Sequence, residues 1–196
     1  IVRAQKANLS EPLSEAVDRT VLVVGGGITG LTAALDAAAA GYPVVLVEKA
    51  DELGGWMRKW AKGIPHGPVY REPQPTDLDD LIGQVKANAR IKVHTAATIE
   101  TIAGQPGQFD VTLKANGSES QFRVGSIVQA TGWKPYDATR LGHLGYGTSP
   151  DVITNVQMEE MLAQGKLARP SDGKAPKRIA FIQCAGSRDK SMGVSY

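Results

Sequence analysis

The strongest constraint on this chain is the run Gly25-Gly26-Gly27-Ile28-Thr29-Gly30, set between two stretches of opposite character. Before it, residues 20–24 are β-branched and apolar, which predicts a short buried parallel strand. After it, residues 29–40 are rich in Ala and Leu without proline, which predicts a helix ending at Gly41. Residues 43–47 are a second apolar run, so the order strand, helix, strand predicts a βαβ unit. In such a unit Gly25 permits the tight turn, Gly27 lets the backbone come close to a pyrophosphate, and Gly30 lets helix and strand pack closely. The N–H groups and dipole at the start of the helix, around Ile28 and Thr29, favour phosphate.

Glu48 follows the second strand at the place where an acid completes a dinucleotide fingerprint. A carboxylate there accepts hydrogen bonds from ribose hydroxyls and repels a 2′-phosphate, which disfavours NADP. The competing reading is a solvated charge at a strand end beside a purely structural turn, and the joint spacing argues against it.

Composition excludes several other classes. An apolar content of 42% in 196 residues supports a folded core, with room for one domain or one and part of a second. A net charge of +2 with acids and bases interspersed gives no reason to expect nucleic acid. No apolar run reaches the about 18–20 residues needed to cross a membrane, and residues 31–46 are interrupted by Asp36, Gly41 and Pro43. Cys184 stands alone, so it can supply neither an internal disulfide nor by itself a metal or cluster site. These features predict a cytoplasmic protein. Cys184 is expected to be a small core residue. His66, His94 and His143 lack metal spacing, and no acid, base or nucleophile set can be argued from spacing, so no catalytic or metal-binding residue is assigned.

Further along, residues 56–75 carry four prolines and predict an irregular excursion. A helix is expected over 76–89, with Thr76 as its cap and Asp77, Asp79 and Asp80 in its first turn. Short strands are expected at 91–93 and 97–102, then a hairpin of 109–114 with 121–128 around an Asn116-Gly117 turn. A helix at 155–163 and a last buried strand at 178–183 complete the reading. The basic residues Arg58, Lys59, Lys62 and Arg71 suit a solvated face or a contact for an acidic partner.

Two later motifs narrow the nucleotide. Leu53-Gly54-Gly55, just after Glu48-Lys49, resembles the glycine pair of flavoproteins with two dinucleotide-binding domains, and Ala130-Thr131-Gly132 resembles their second signature. Residues 21–30, 41–48, 130–135 and especially 170–188 (PSDGKAPKRIAFIQCAGSR) resemble the flavin subunit of heterodisulfide reductase. They equally resemble flavoprotein subunits of the quinone-interacting membrane-bound oxidoreductase of sulfate reducers. The resemblance implies FAD rather than NAD, bound around Gly25, Gly27, Ile28, Thr29, Gly30, Glu48, Lys49, Gly54, Gly55, Ala130, Thr131 and Gly132. It also implies adenine contact near Thr98 and Ile99; Trp56 lines the flavin or packs under the Pro-rich loop.

The fold implied is α/β: a three-layer Rossmann-like FAD/NAD(P)-binding domain with a parallel sheet and a β-meander, incomplete at its C-terminal part. The expected organisation is a leader at 1–19, the FAD-binding domain at 20–150 with the meander at about 91–128, and a connecting helix and truncated second unit at 151–196. Ile1 in place of Met and a strand-like run near Tyr196 are expected of a chain cut at both ends. The function implied is electron transfer between FAD and iron–sulfur centres of partner subunits. One candidate partner is a membrane protein that would hold the chain at the membrane periphery. The family's cysteines after the glycine pair are missing from 56–75, which tilts the match toward the quinone-interacting branch. Two other functions stay open: an NAD-dependent oxidoreductase, which would bind NADH and need a catalytic residue after 133, and a non-catalytic assembly component with a vestigial nucleotide site.

Overall fold

The computed structural model describes residues 17–65, 67–69, 72–115 and 117–186. Most of the expected leader, His66, Arg71, Asn116 and the segment 187–196 lie outside the described residues. Two compact units emerge: one built from the chain up to Leu53 with Gln84–Ala130, the other from Gly54–Gly83 with the chain from Thr131 on.

The first unit is a three-layer α/β structure. Strands β1 (Val21–Val24), β2 (Val44–Val47), β3 (Ile91–His94) and β7 (Ser126–Gln129) form a parallel sheet in the order β3-β2-β1-β7. Helix α1 (Ile28–Ala39) connects β1 to β2. It ends as Gly41 dictates: Gly41 takes a φ of +90°, its N–H reaches Ala38 O at 3.0 Å, and the Tyr42 N–H reaches Ala37 O at 3.1 Å. That pair of bonds is a Schellman motif, whose left-handed residue is easiest for glycine.

Strands β4 (Ala97–Gln105), β5 (Gln108–Ala115) and β6 (Ser118–Val124) form a separate antiparallel sheet. Alternation assigns each face. Leu22 and Val47 turn toward this meander and pack with its Ala97, Val111, Leu113 and Val124 in one buried cluster. Val23, Val44 and Leu46 turn the other way, to the face where α1 packs and buries Leu31, Ala34 and Ala38.

The antiparallel insertion is shorter than the 91–128 expected from sequence. Residues 91–94 pair with β2, and 126–129 pair with β1, so both belong to the parallel sheet. The expected continuous strand at 121–128 is divided at Gly125. A Cβ there would lie 1.8 Å from Asp18 O, so only glycine lets the chain cross that backbone as it changes sheets.

In the second unit, residues 55–59 form a 3-10 turn, Gly63 and Gln74 form an isolated antiparallel bridge, and residues 138–144 form another 3-10 segment. Helix α2 (Leu78–Ala87), which begins in this unit and continues from Gln84 into the first, carries Asp79 and Asp80 in its first turn, two residues later than the start expected from Thr76. Helix α3 (Asn155–Ala163) is capped by Thr154 and Gln157, each side chain bonding the other's backbone N–H, at 3.2 Å and 2.8 Å. The strand expected at 178–183 does not form. Ile179, Phe181 and Ile182 are exposed, and no ladder partner exists for them among the described residues. Among the described residues no helix is long and apolar enough to cross a membrane.

Candidate functional site

The glycine run sits where β1 gives way to α1. Gly25 takes a φ of +110°, and its N–H still bonds Val47 O at 2.8 Å, extending the β1–β2 ladder by one residue. Gly30 is enforced by distance: a Cβ there would lie 1.8 Å from Gly25 O. Helix and strand approach so closely that no side chain fits between them.

Gly27 differs. It is the N-cap of α1 with extended backbone, φ −78° and ψ −176°, and a Cβ there would meet nothing within 4 Å. The first turn of α1, including Ile28, Thr29 and Gly30, presents N–H groups that the helix itself cannot satisfy. No side chain caps this helix start and no acid lies in its first turn. The result is an uncapped helix end with partial positive charge, suited to an anion such as a pyrophosphate.

Glu48 lies at the C-terminal end of β2, only 9% exposed. Its carboxylate is bound twice by the protein. Oε2 accepts the Gly26 N–H at 2.6 Å and Oε1 accepts the Ala50 N–H at 2.8 Å. Its backbone ties β3 and the meander together: the Glu48 N–H bonds His94 O at 2.8 Å, and the Ala97 N–H, at the start of β4, bonds Glu48 O at 3.0 Å. The Ala96 N–H bonds Ala50 O at 2.7 Å. These bonds bring the glycine loop, Glu48, exposed Lys49 and the start of β4 together. Thr98 is exposed and Ile99 half-buried there, facing Lys114 and Leu113 of β5. Ala130, just after β7, joins the group through its N–H to Val24 O at 2.8 Å.

Sequence reasoning passed over Gly26, the spacer within the fingerprint. A Cβ there would lie 2.5 Å from Leu53 Cδ2 and 3.0 Å from Glu48 Cβ. The signal was present in the unbroken run of three glycines, with Gly26 at its middle, but its reason is contact with residues far along the chain.

Gly54, Gly55, Trp56, Thr131 and Gly132 belong to the second unit. Gly54 and Gly55 have φ of +116° and +55°, and Gly132 has +67°. Trp56 and Trp133 stack with ring centroids 5.0 Å apart and planes 11° from parallel. The Trp56 indole N–H also bonds Trp133 O at 3.0 Å. Lys59 Nζ lies 5.3 Å from the centre of the Trp56 ring and 2.7 Å from Glu160 Oε1. Part of the basic cluster is thus a contact to α3. Trp60 is exposed.

Cys184 is a correction. It is exposed rather than a core residue, and its φ of +55° is rare for a side-chain-bearing residue. Its strand does not form, so no sheet buries it. Burial and the neighbouring Lys92 charge push His94 below the ordinary histidine range. Among the described residues, no three His, Cys, Asp or Glu side chains converge as a metal site.

A family model described as FAD dependent oxidoreductase matches residues 20–118. A ferredoxin/F(420)H(2)-dependent CoB-CoM heterodisulfide reductase subunit of Methanosarcina acetivorans is 27% identical over an aligned span of 266 residues. That span takes in 91% of this chain and 32% of the relative. An H(2):CoB-CoM heterodisulfide,ferredoxin reductase subunit of Methanothermobacter marburgensis is 27% identical over 275, with 97% and 41% covered. The chain therefore spans about a third to two-fifths of the length of these relatives. Both aligned spans exceed the chain's own 196 residues, so the relatives contain stretches that it lacks. Among solved structures, L-proline dehydrogenase from P. horikoshii aligns with a TM-score of 0.49 and 22% identity, over 82% of this chain and 29% of that one.

Proposed function

From the premise that this chain belongs to the FAD dependent oxidoreductase family, and so is a flavin-dependent oxidoreductase whose cofactor is FAD, we propose that it acts as an electron-transfer subunit. In this reading it relays electrons between FAD and iron–sulfur centres of partner subunits, and chemistry on a substrate is left to other parts of the complex. The names of its relatives support the reading: one is a CoB--CoM heterodisulfide reductase iron-sulfur subunit of Methanocaldococcus jannaschii, 28% identical over 92% of this chain.

The single observation that carries the binding part is the open helix start at Gly27 beside the buried Glu48 carboxylate. The residues fit FAD. Gly27 leaves room where a pyrophosphate would approach, and the first-turn N–H groups of Ile28, Thr29 and Gly30 are the donors it needs. Each oxygen of Glu48 already accepts one N–H and keeps a second lone pair. The carboxylate can therefore still accept from two ribose hydroxyls. Gly25 and Ala130 are proposed to border this site, with Lys49, Thr98 and Ile99 as contacts toward the adenine. Gly54, Gly55, Trp56, Thr131 and Gly132 are proposed as flavin contacts of the second unit, with Trp56 offering a planar aromatic surface.

When bound, FAD supplies a carrier that exchanges electrons singly or in pairs. The chain's own residues bind and orient it, and backbone dipoles and burial set its surroundings. Location in the cytoplasm, at the membrane only through a partner, belongs to the same proposal.

The experiment is direct. The chain is titrated with FAD, followed by flavin fluorescence, and the loaded protein is reduced and mixed with candidate iron–sulfur partner subunits. Binding in the micromolar range or tighter, with reoxidation of the flavin on mixing, is expected. FAD binding without electron transfer to any such partner would refute the relay.

A further inference from the structure

We infer that Glu48 is a positioning residue: its carboxylate fixes the glycine loop in a nucleotide-ready shape before any nucleotide is present. The meaning of "nucleotide-ready" rests on the FAD site proposed above. The tethering itself is a property of the chain alone.

Consecutive glycines are a poor way to hold a shape. Each has more backbone freedom to lose on folding than any other residue. The loop at 25–27 therefore needs restraints from outside itself. Gly25 receives one from the ladder bond to Val47 O. Gly27 is fixed as the N-cap, its O accepting the Leu31 N–H at 2.9 Å. Gly26 lies between them and is buried. Its N–H is taken by Glu48 Oε2 at 2.6 Å, while Leu53 closes over the space a side chain would need.

The second carboxylate oxygen prevents Glu48 from turning away. Oε1 is held by the Ala50 N–H at 2.8 Å, so the head group is clamped at both ends. A charge this buried is tolerated because two backbone donors face it. A residue serving only as a ribose acceptor would have no need of either bond. Here the ligand meets a carboxylate whose orientation is already set, and a loop that needs no ordering on binding. Such preorganisation acts on affinity by removing the cost of selecting the competent shape.

Glu48→Gln separates this from a simple ligand contact. The amide keeps one acceptor oxygen but turns an NH2 toward the other backbone donor, so one of the two bonds must be lost. Amide hydrogen exchange, resolved by NMR on the ligand-free full chain, gives the first readout. Val111→Ala serves as a control that weakens the meander core without touching the loop. Whichever of the Gly26 and Ala50 amides faces the NH2 should exchange at least about tenfold faster in Glu48→Gln, the change expected for losing a charge-assisted hydrogen bond. The Leu22 and Leu46 amides should change no more than in Val111→Ala. The rate of FAD association should fall as well, since fewer molecules hold the competent loop. Unchanged exchange at both Gly26 and Ala50, or acceleration only in step with the core amides, would overturn the inference. If Glu48→Gln shows the expected acceleration while the parent chain binds no FAD, the proposed function is refuted and the tether stands.

Discussion

Replacing Gly27 and Gly30 by alanine, one at a time, should separate folding from binding at a single loop. A methyl at Gly30 would lie 1.8 Å from Gly25 O and 2.9 Å from Gly25 C. Carbon and oxygen ordinarily approach no closer than about 3.3 Å, so roughly 1.5 Å must open between two pieces of backbone that cannot rotate aside. Overpacking in a tight core costs about 1–3 kcal/mol, and a backbone-on-backbone clash belongs at the upper end, about 3 kcal/mol. That is a large part of the about 5–15 kcal/mol that holds a domain together. With a urea slope of about 1–3 kcal/mol/M, the unfolding midpoint should fall by about 1–3 M. Gly27→Ala meets no atom within 4 Å and keeps φ at −78°. The lost N-cap preference, about 0.5–1 kcal/mol, is offset by a stiffer unfolded chain worth about 0.4–1 kcal/mol. Its midpoint should match the parent, while the methyl stands where a pyrophosphate would lie and weakens FAD at least about tenfold, about 1.4 kcal/mol. Urea unfolding of the ligand-free chains and FAD titration by fluorescence measure both. A Gly30→Ala chain as stable as its parent would refute the packing argument. Full FAD affinity in Gly27→Ala would refute the assignment of the loop.

Two other outcomes follow from the first unit. Leu113 is 1% exposed in the cluster that joins the meander to the sheet, so Leu113→Ala should cost about 2–5 kcal/mol in denaturant unfolding; a loss below about 1 kcal/mol would mean that cluster is loosely packed. His94, held below its ordinary value of 6.5 by burial and by Lys92, is protonated later in the folded chain than in the unfolded one. As pH falls through the ordinary value toward the folded one, the unfolded chain binds more protons and stability declines. Melting curves across that window should flatten in His94→Gln; parallel profiles for the two proteins would exclude His94 as the cause.

The local part of the fold could be read from residue order alone. Glycines 25, 27 and 30 act within a few residues of themselves, and the helix stop at Gly41 and the hairpin 108–124 are equally local. What escaped depends on distant partners. The tie between Gly26 and Glu48 needs the β1–β2 register, and the division at Gly125 needs the backbone of Asp18. Residues 178–183 look like a strand because Ile, Ala, Phe and Ile are consecutive, but a strand exists only where a neighbour offers its ladder. Cys184 inherited that error, since its expected burial came from the sheet. The stacking of Trp56 on Trp133 joins residues far apart in the sequence, and no spacing rule marks it.

The pairing of β1 with both β2 and β7 also bears on the order in which the molecule is made. Val21 finds Val44 soon after it is synthesised, but its other neighbour, Ser126, follows only after the whole meander. Contacts this far apart in the chain are slow to form, whereas the β4-β5-β6 hairpins close on themselves quickly. A chain emerging from the ribosome thus carries a half-covered β1, with Leu22 and Val23 on an open edge, until the meander has folded and delivered β7. Gly125, where the path turns from one sheet to the other, is then the point at which the exposed edge is sealed.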